Sequence, residues 1–424
     1  MTAGVTARSA GGPVVPVTWK SGRFDGLLLI LMVIALSIQG PTIFVMGGMD
    51  FTFGHVLVGL VGAISLIRCL GSGSKLVVPP AAVNILLVVF AVVTMVDASR
   101  FGFGSMIFKY LFQYLVLAVA LNLMRLMDAD RAVKCIAYGA WIVFALVLVN
   151  AIVHGGAFLE YYDHPWDGHP NYETVFSGGV NLEATWPAML GVFMANDRRG
   201  WTYLVANVIF SAVVQSRAGL ALAVLAFVYV VLVKDGVRLS WRRVLAVAAV
   251  VVAAGAFALV GPRTISSRIP ADDIVAEAPV STAPATNAGP IGTPGRKGIW
   301  AASLRVFQDE PLFGYGAGNA MDAVRSLSGY PYREDNVHNY PLQILLDFGL
   351  VGAAVFAAVV IGFIVANVRA RFQNPFAAFM ALYLIGGMVQ FKGGELLVGF
   401  AMAGLAAYGA SAVRAKGDGA AHVE

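Results

Sequence analysis

Long uninterrupted apolar runs constrain this chain more than anything else in it. They extend for about 15–25 residues, the length a helix needs to cross roughly 30 Å of hydrocarbon. The runs are continuous rather than alternating, so each must satisfy its backbone within itself, and helices rather than a barrel follow. Composition agrees. Hydrophobic residues make up 58%, charged residues 12%, and mean hydropathy is +0.76, where ordinary soluble domains run to about a quarter charged. The expected fold class is an all-α polytopic membrane protein, with residues 1–424 forming a single integral membrane domain.

Twelve candidate spans fall at about 26–46, 54–70, 77–96, 106–124, 133–154, 182–195, 201–215, 218–233, 243–260, 345–368, 375–390 and 394–413. Lysine and arginine placement orients them. With the N-terminus inside, 18 of the 29 basic residues fall on the inner side. Seven lie in the long segment 261–344, which crosses regardless of charge, and four remain outside: Arg100, Lys109, Arg217 and Lys392. Both termini are therefore expected inside, as a tail over residues 1–25 and another over 414–424. Cys69 and Cys135 fall at inner span ends and read as free thiols. The net charge of +5 has no basic run or stripe, so nucleic acid is not an expected partner.

Two outer segments are substantial. The first, 155–181, is aromatic, acidic and histidine-containing, and offers Glu160, Tyr161 and Asp163 as sugar contacts. Its Asp163-His164 and Asp167-Gly-His169 pairs lack regular ligand spacing, and no metal is expected. The second, 261–344, opens with a low-complexity stretch at 271–295 that cannot bury a core and is expected to be flexible. After it, Arg296, Trp300, Leu304 and Phe307 recur at helical spacing and predict one helix face. Asn319 is the expected cap of a short helix at 320–328. The glycines at 314, 316 and 318 lack the strand-to-helix context of a nucleotide loop and read as a tight turn.

Three residues that could carry chemistry sit where helices begin. Ser216 is the natural cap of one span, which puts Arg217 in its first turn against the positive end of the helix dipole. A cation placed there, beside apolar runs, suits an anion bound with help from the helix amides; the alternative is snorkelling to lipid phosphate. Arg296 likewise opens a helix, or is a solvated loop residue, and Lys297 beside it is a weaker candidate. His338 directly precedes a span, with Asp335 or Asn336 as expected caps and Pro341 tolerated in the first turn. A helix N-terminus disfavours imidazolium, so a histidine there can take a proton from a sugar hydroxyl, or it is simply an interfacial histidine.

Taken together, four motifs resemble the O-antigen ligase / O-antigen polymerase superfamily. They are Ser-Arg-Ala-Gly at 216–219, Arg-x-x-x-Trp at 296–300, Pro-Leu-Phe-Gly-x-Gly-x-Gly-Asn at 311–319, and His-Asn-x-x-Leu-Gln-x-x-x-Asp-x-Gly at 338–349. The resemblance implies a GT-C-like, multi-span glycosyltransferase of the bacterial inner membrane whose active site faces the periplasm. It implies an undecaprenyl-diphosphate-linked glycan donor, a lipid A–core acceptor, surrounding membrane lipids, and neither cofactor nor metal. Arg217 and Arg296 match the arginines that hold the diphosphate, and His338 matches the histidine that activates or orients the acceptor hydroxyl. Trp300 and Asn339 join Glu160, Tyr161 and Asp163 as candidate glycan contacts. Asp347 stands where many members have glutamate and is expected to be structural, while the 271–295 insert departs from the compact loop of the family. A ligase is the expected activity, with a repeat-unit polymerase or a protein O-glycosylase as rivals. A transporter fits less well, because charges avoid the span middles and no internal repeat is visible.

Overall fold

The structure, a computed structural model, describes residues 22–38, 42–46, 49–72, 75–103, 106–154, 175–176, 180–197, 199–214, 216–233, 296–328, 336–369, 374–388 and 396–408. Its first part comprises α1 (Arg23–Ser37), a hairpin of β1 (Thr42–Met46) and β2 (Met49–Thr52), α2 (Phe53–Gly71), α3 (Ala81–Phe101), α4 (Met106–Met124) and α5 (Ala129–Val153). There follow α6 (Val180–Leu190), a 3-10 turn (Gly191–Asn196), α7 (Gly200–Val213) and α8 (Arg217–Val233). The last group is α9 (Arg296–Asp309), α10 (Ala320–Ser328), α11 (Tyr340–Arg369), α12 (Pro375–Gly387) and α13 (Leu396–Tyr408). Five of these helices, α2 to α5 and the Tyr340–Val365 part of α11, are long and apolar enough to cross a membrane; α7, α8, α12 and α13 are shorter apolar helices. The chain is an all-α, multi-pass membrane protein.

Two spans differ from expectation. The first ends at Ser37 rather than 46, and Thr42–Met46 turns back on Met49–Thr52 as an antiparallel pair. Pro41 cannot donate to a helix, and the β-branched and aromatic Thr42, Ile43, Phe44 and Val45 suit a strand. The sixth is broken, because Pro187 lies inside α6 and the chain tightens into the 3-10 turn after Leu190. The expected span at 243–260, the outer segment from 155 to 174, the 271–295 insert, the C-terminal tail and residues 1–21 of the N-terminal tail lie outside the described residues, while α1 already begins at Arg23, inside the tail expected over 1–25.

Packing forms one large apolar core, with α4 against α13, α1 against α5 and α2, and α6 against α8. At the start of α1 the buried Asp25 carboxylate accepts from Arg68 Nε at 3.0 Å, and Arg131 Nη2 donates to the Gly22 carbonyl at 3.1 Å. These bonds hold three helices at one end of the bundle. Cys69 and Cys135 are buried free thiols, as expected.

Helix α11 is interrupted at Gly349, whose φ of 60° and ψ of −165° are open essentially to glycine alone. An unbroken helix would bond the Leu350 and Val351 amides to the Leu346 and Asp347 carbonyls. Instead the loop 311–316 enters the gap. The Leu350 and Val351 amides donate to the Pro311 and Leu312 carbonyls at 2.8 and 3.1 Å, and the Tyr315 and Gly316 amides donate to the Leu346 and Asp347 carbonyls, both at 2.9 Å. Two helix rungs are thus replaced by four bonds to the glycine-rich loop, which satisfy the two amides and two carbonyls that the break frees. The close approach leaves no room for side chains: a Cβ on Gly349 would lie 2.2 Å from the Leu312 oxygen, and one on Gly314 would lie 2.4 Å from the Leu346 oxygen. Gly349→Ala is therefore expected to destabilise the protein by about 3 kcal/mol or more, from backbone strain and contact together, read as a fall in thermal midpoint and in monodisperse yield from detergent.

Candidate active site

The site rises from a small second core beside the membrane bundle, where α9, α10 and the start of α11 bury Ile299, Val306, Met321, Val324, Val337 and Leu346 together. In α9 the buried stripe is Ile299, Ala302, Ser303 and Val306, spaced at three and four residues. The expected stripe, Arg296, Trp300, Leu304 and Phe307, is the more open flank: Arg296 is exposed, Trp300 and Phe307 are half-buried, and Leu304 is 55% exposed. The spacing gave that stripe as one face without saying which face is covered, and the neighbouring stripe is the one that packs against α10 and the start of α11. This unit is tied to the end of α3 by an Arg100–Glu310 ion pair and by Asn319, whose Nδ2 donates to the Gly102 carbonyl at 2.9 Å. Because the Asn319 side chain points there, it does not cap α10; its backbone carbonyl starts that helix instead. Tyr315, whose hydroxyl donates to the Val306 carbonyl at 3.0 Å, has its phenol pKa pushed up to about 12 by burial, with Asp309 and Glu310 adding to the effect.

His338 is held with unusual definition. Its φ of 52° makes it the one non-glycine residue in the left-handed region among the described residues, a conformation costing about 1–3 kcal/mol that persists where neighbours over-determine it. On one side, the carbonyl of the fully buried Val337 accepts from Trp300 Nε1 at 2.7 Å, and its amide donates to Gln343 Oε1 at 3.0 Å. On the other, Asn339 caps α11, with Oδ1 accepting from the Leu342 amide at 3.0 Å and Nδ2 donating to the Met388 carbonyl at 3.2 Å. The cap is therefore Asn339 rather than Asp335 or Asn336. Asn336 Oδ1 accepts from the His338 amide at 2.9 Å, which turns the chain before the helix, and Asp335 lies outside the described residues.

These bonds bring Trp300, His338 and Asn339 to one place, with Arg296 one helical turn from Trp300 on the same flank. The Arg296 guanidinium stays solvent-accessible while nearby protein atoms desolvate it enough to lower its pKa. Arg217 belongs to a second block. Ser216 Oγ accepts from the Gly219 amide at 3.1 Å, so the expected cap and the first-turn position of Arg217 both hold. Gly219 seats that turn against α6, where a Cβ would lie 2.5 Å from the Ala184 Cβ. The blocks are joined through α12: Tyr383 stacks on Trp186 of α6 with centroids 6.2 Å apart, and meets Tyr340 of α11 edge-on at 5.7 Å. Below Tyr340, an apolar cavity opens among Val83, Phe90, Phe356, Phe363, Met380 and Met402. Glu160, Tyr161 and Asp163 lie outside the described residues.

Sequence reasoning passed over Gln343. Its signal was present as a Gln–Asp pair four residues apart on an otherwise apolar helix, a spacing at which side chains meet. The Trp300 bond is open to a direct test. Trp300→Phe keeps a ring but strands the buried Val337 carbonyl, so a loss of about 1–2 kcal/mol in unfolding free energy is expected, with faster hydrogen exchange across residues 336–342.

The O-antigen ligase family model matches residues 202–357, a stretch that runs from α7 past the break in α11 and contains Arg217, Arg296 and His338. No curated protein matches the chain. Over this segment, which is less than half of its length and carries the two helix-end arginines and the constrained histidine, the chain is similar to the O-antigen ligase family.

Proposed function

We propose that this chain, as a lipid-linked glycan transferase, moves an O-antigen glycan from undecaprenyl diphosphate to the lipid A–core oligosaccharide at the periplasmic face of the bacterial inner membrane. The observation that carries the reading is the constrained His338, held left-handed between a doubly bonded Val337 peptide and the Asn339 cap, beside the Arg296 flank of α9. A base must meet its hydroxyl within hydrogen-bond reach, and a backbone this closely specified supplies that orientation.

In the proposed step His338 takes the proton of the acceptor hydroxyl. That oxygen attacks the anomeric carbon, and the bond from carbon to the diphosphate oxygen breaks with its electrons going to the leaving group. One displacement inverts the anomeric centre. Arg217 and Arg296 neutralise the charge growing on the diphosphate, aided at Arg217 by the positive end of α8. Guanidiniums suit this role because they stay charged and bind phosphate oxygens in pairs, so the step needs no metal ion. The apolar cavity below Tyr340 supports a lipid-borne donor, since an isoprenoid chain there would leave its head group near the His338 end of α11.

Expression in a ligase-deficient Gram-negative strain tests the reading by the appearance of capped lipopolysaccharide on gels. Arg217→Ala, Arg296→Ala and His338→Ala are each expected to lower capping by about 100-fold or more while the proteins still insert. His338→Asn should do the same without disturbing the backbone, because asparagine tolerates the left-handed region. Capping should persist in EDTA. Full activity in all of these variants would sink the residue assignment. Accumulation of single lipid-linked repeats in the host's own null mutant would instead mark a polymerase, and loss of glycosylated serine or threonine a protein O-glycosylase.

A further inference from the structure

The start of α11 contains a buried polar chain that the transfer step above does not use. Gln343 and Asp347 are both fully buried, one helical turn apart. Gln343 Nε2 donates to Asp347 Oδ1 and Oδ2 at 3.0 and 3.1 Å, and the Gly318 amide donates to Oδ1 at 3.3 Å. At its other end Gln343 Oε1 accepts from the Val337 amide at 3.0 Å. The direction of this chain is dictated by chemistry. A backbone N–H only donates, so the Val337 amide obliges Gln343 to present its oxygen there, and the NH2 must then face Asp347. Val337 is the residue before His338, and its carbonyl is fixed by Trp300.

We propose that Gln343 and Asp347 are positioning residues for the transfer reaction. Their amide–carboxylate pair sets the orientation of the Val337 peptide, and through it the direction in which the left-handed His338 presents its ring. Neither residue touches substrate. The proposal rests on the assignment of His338 as the base.

The test uses the full-length chain purified in detergent, with an undecaprenyl-diphosphate-linked glycan as donor and lipid A–core as acceptor, both extracted from its own host. Released undecaprenyl diphosphate is measured, a product shared by the ligase, polymerase and protein-glycosylase reactions. Three nearly isosteric variants separate hydrogen-bond direction from packing. Gln343→Glu sets carboxylate against carboxylate, and kcat is expected to fall about 10-fold or more with the donor KM within about twofold of the parent; Asp347→Asn alone keeps an oxygen for the Gln343 NH2 and the Gly318 amide, and its kcat is expected to stay within about threefold of the parent. The double variant, Gln343→Glu with Asp347→Asn, reverses the pair. The introduced carboxylate would accept from both the Val337 amide and the NH2 of the introduced asparagine. The oxygen of that asparagine would accept from the Gly318 amide, so kcat should return to within about threefold of the parent. Should Gln343→Glu fail to fold, Gln343→Met keeps the volume without the charge and carries the same expectation of lost turnover.

Gln343→Glu that turns over like the parent overturns the proposal. So does a folded double variant no better than the worse single, or a loss that appears in KM and thermal midpoint rather than kcat. His338→Ala assayed alongside tells the two readings apart. If it is inactive while Gln343→Glu is fully active, only the positioning role fails; if it is active, the assignment of the base fails and the proposal with it.

Discussion

The interruption of α11 is the constraint on which the site depends. A helix cannot lose two backbone rungs in an apolar setting without replacement partners, because each unpaired peptide group costs kilocalories there. The loop 311–316 supplies those partners, and its carbonyls and amides match the gap one for one. That exchange fixes where the loop lies. It also fixes where α9 must end, how α10 leaves, and how the Tyr340 end of α11 is aimed. The small core between these helices is thus assembled around a backbone defect.

Much of this architecture was legible in the sequence, at the level of elements. The apolar runs located most of the helices, the helical spacing from Arg296 located α9, residues 320–328 gave α10 with its ends, and Ser216 identified its own cap. The failures share a cause. Asn319, Asn336 and Asn339 are chemically equivalent as caps, and only tertiary partners such as the Gly102 and Met388 carbonyls decide which does what. In the same way, the Arg296 stripe was recognised as a face, but periodicity cannot say which of two neighbouring stripes a partner helix will cover. The glycines were read as a turn. All three do take positive φ, but that Gly314 lies against the broken helix depends on contact with Gly349, more than thirty residues away in the chain.

The candidate residues divide between two blocks of different construction. Arg217 stands at the head of a membrane helix, where the local field already favours an anion. Arg296 and His338 stand on a compact unit bound to the ends of α3 and α11. The aromatic contacts through Tyr383 connect the two without any charged residue in the line, which avoids burying an unpaired charge between them. The family match spans both blocks, so the division falls inside one matched segment.

The hydrogen bonds at the break have a mechanical corollary. Leu350 and Val351 begin the half of α11 that carries Phe356 and Phe363, two walls of the apolar cavity, and they are fastened to the same loop that supports α9 and α10. One wall of the cavity and the unit bearing Arg296 and His338 therefore share a single anchorage, on either side of Gly349.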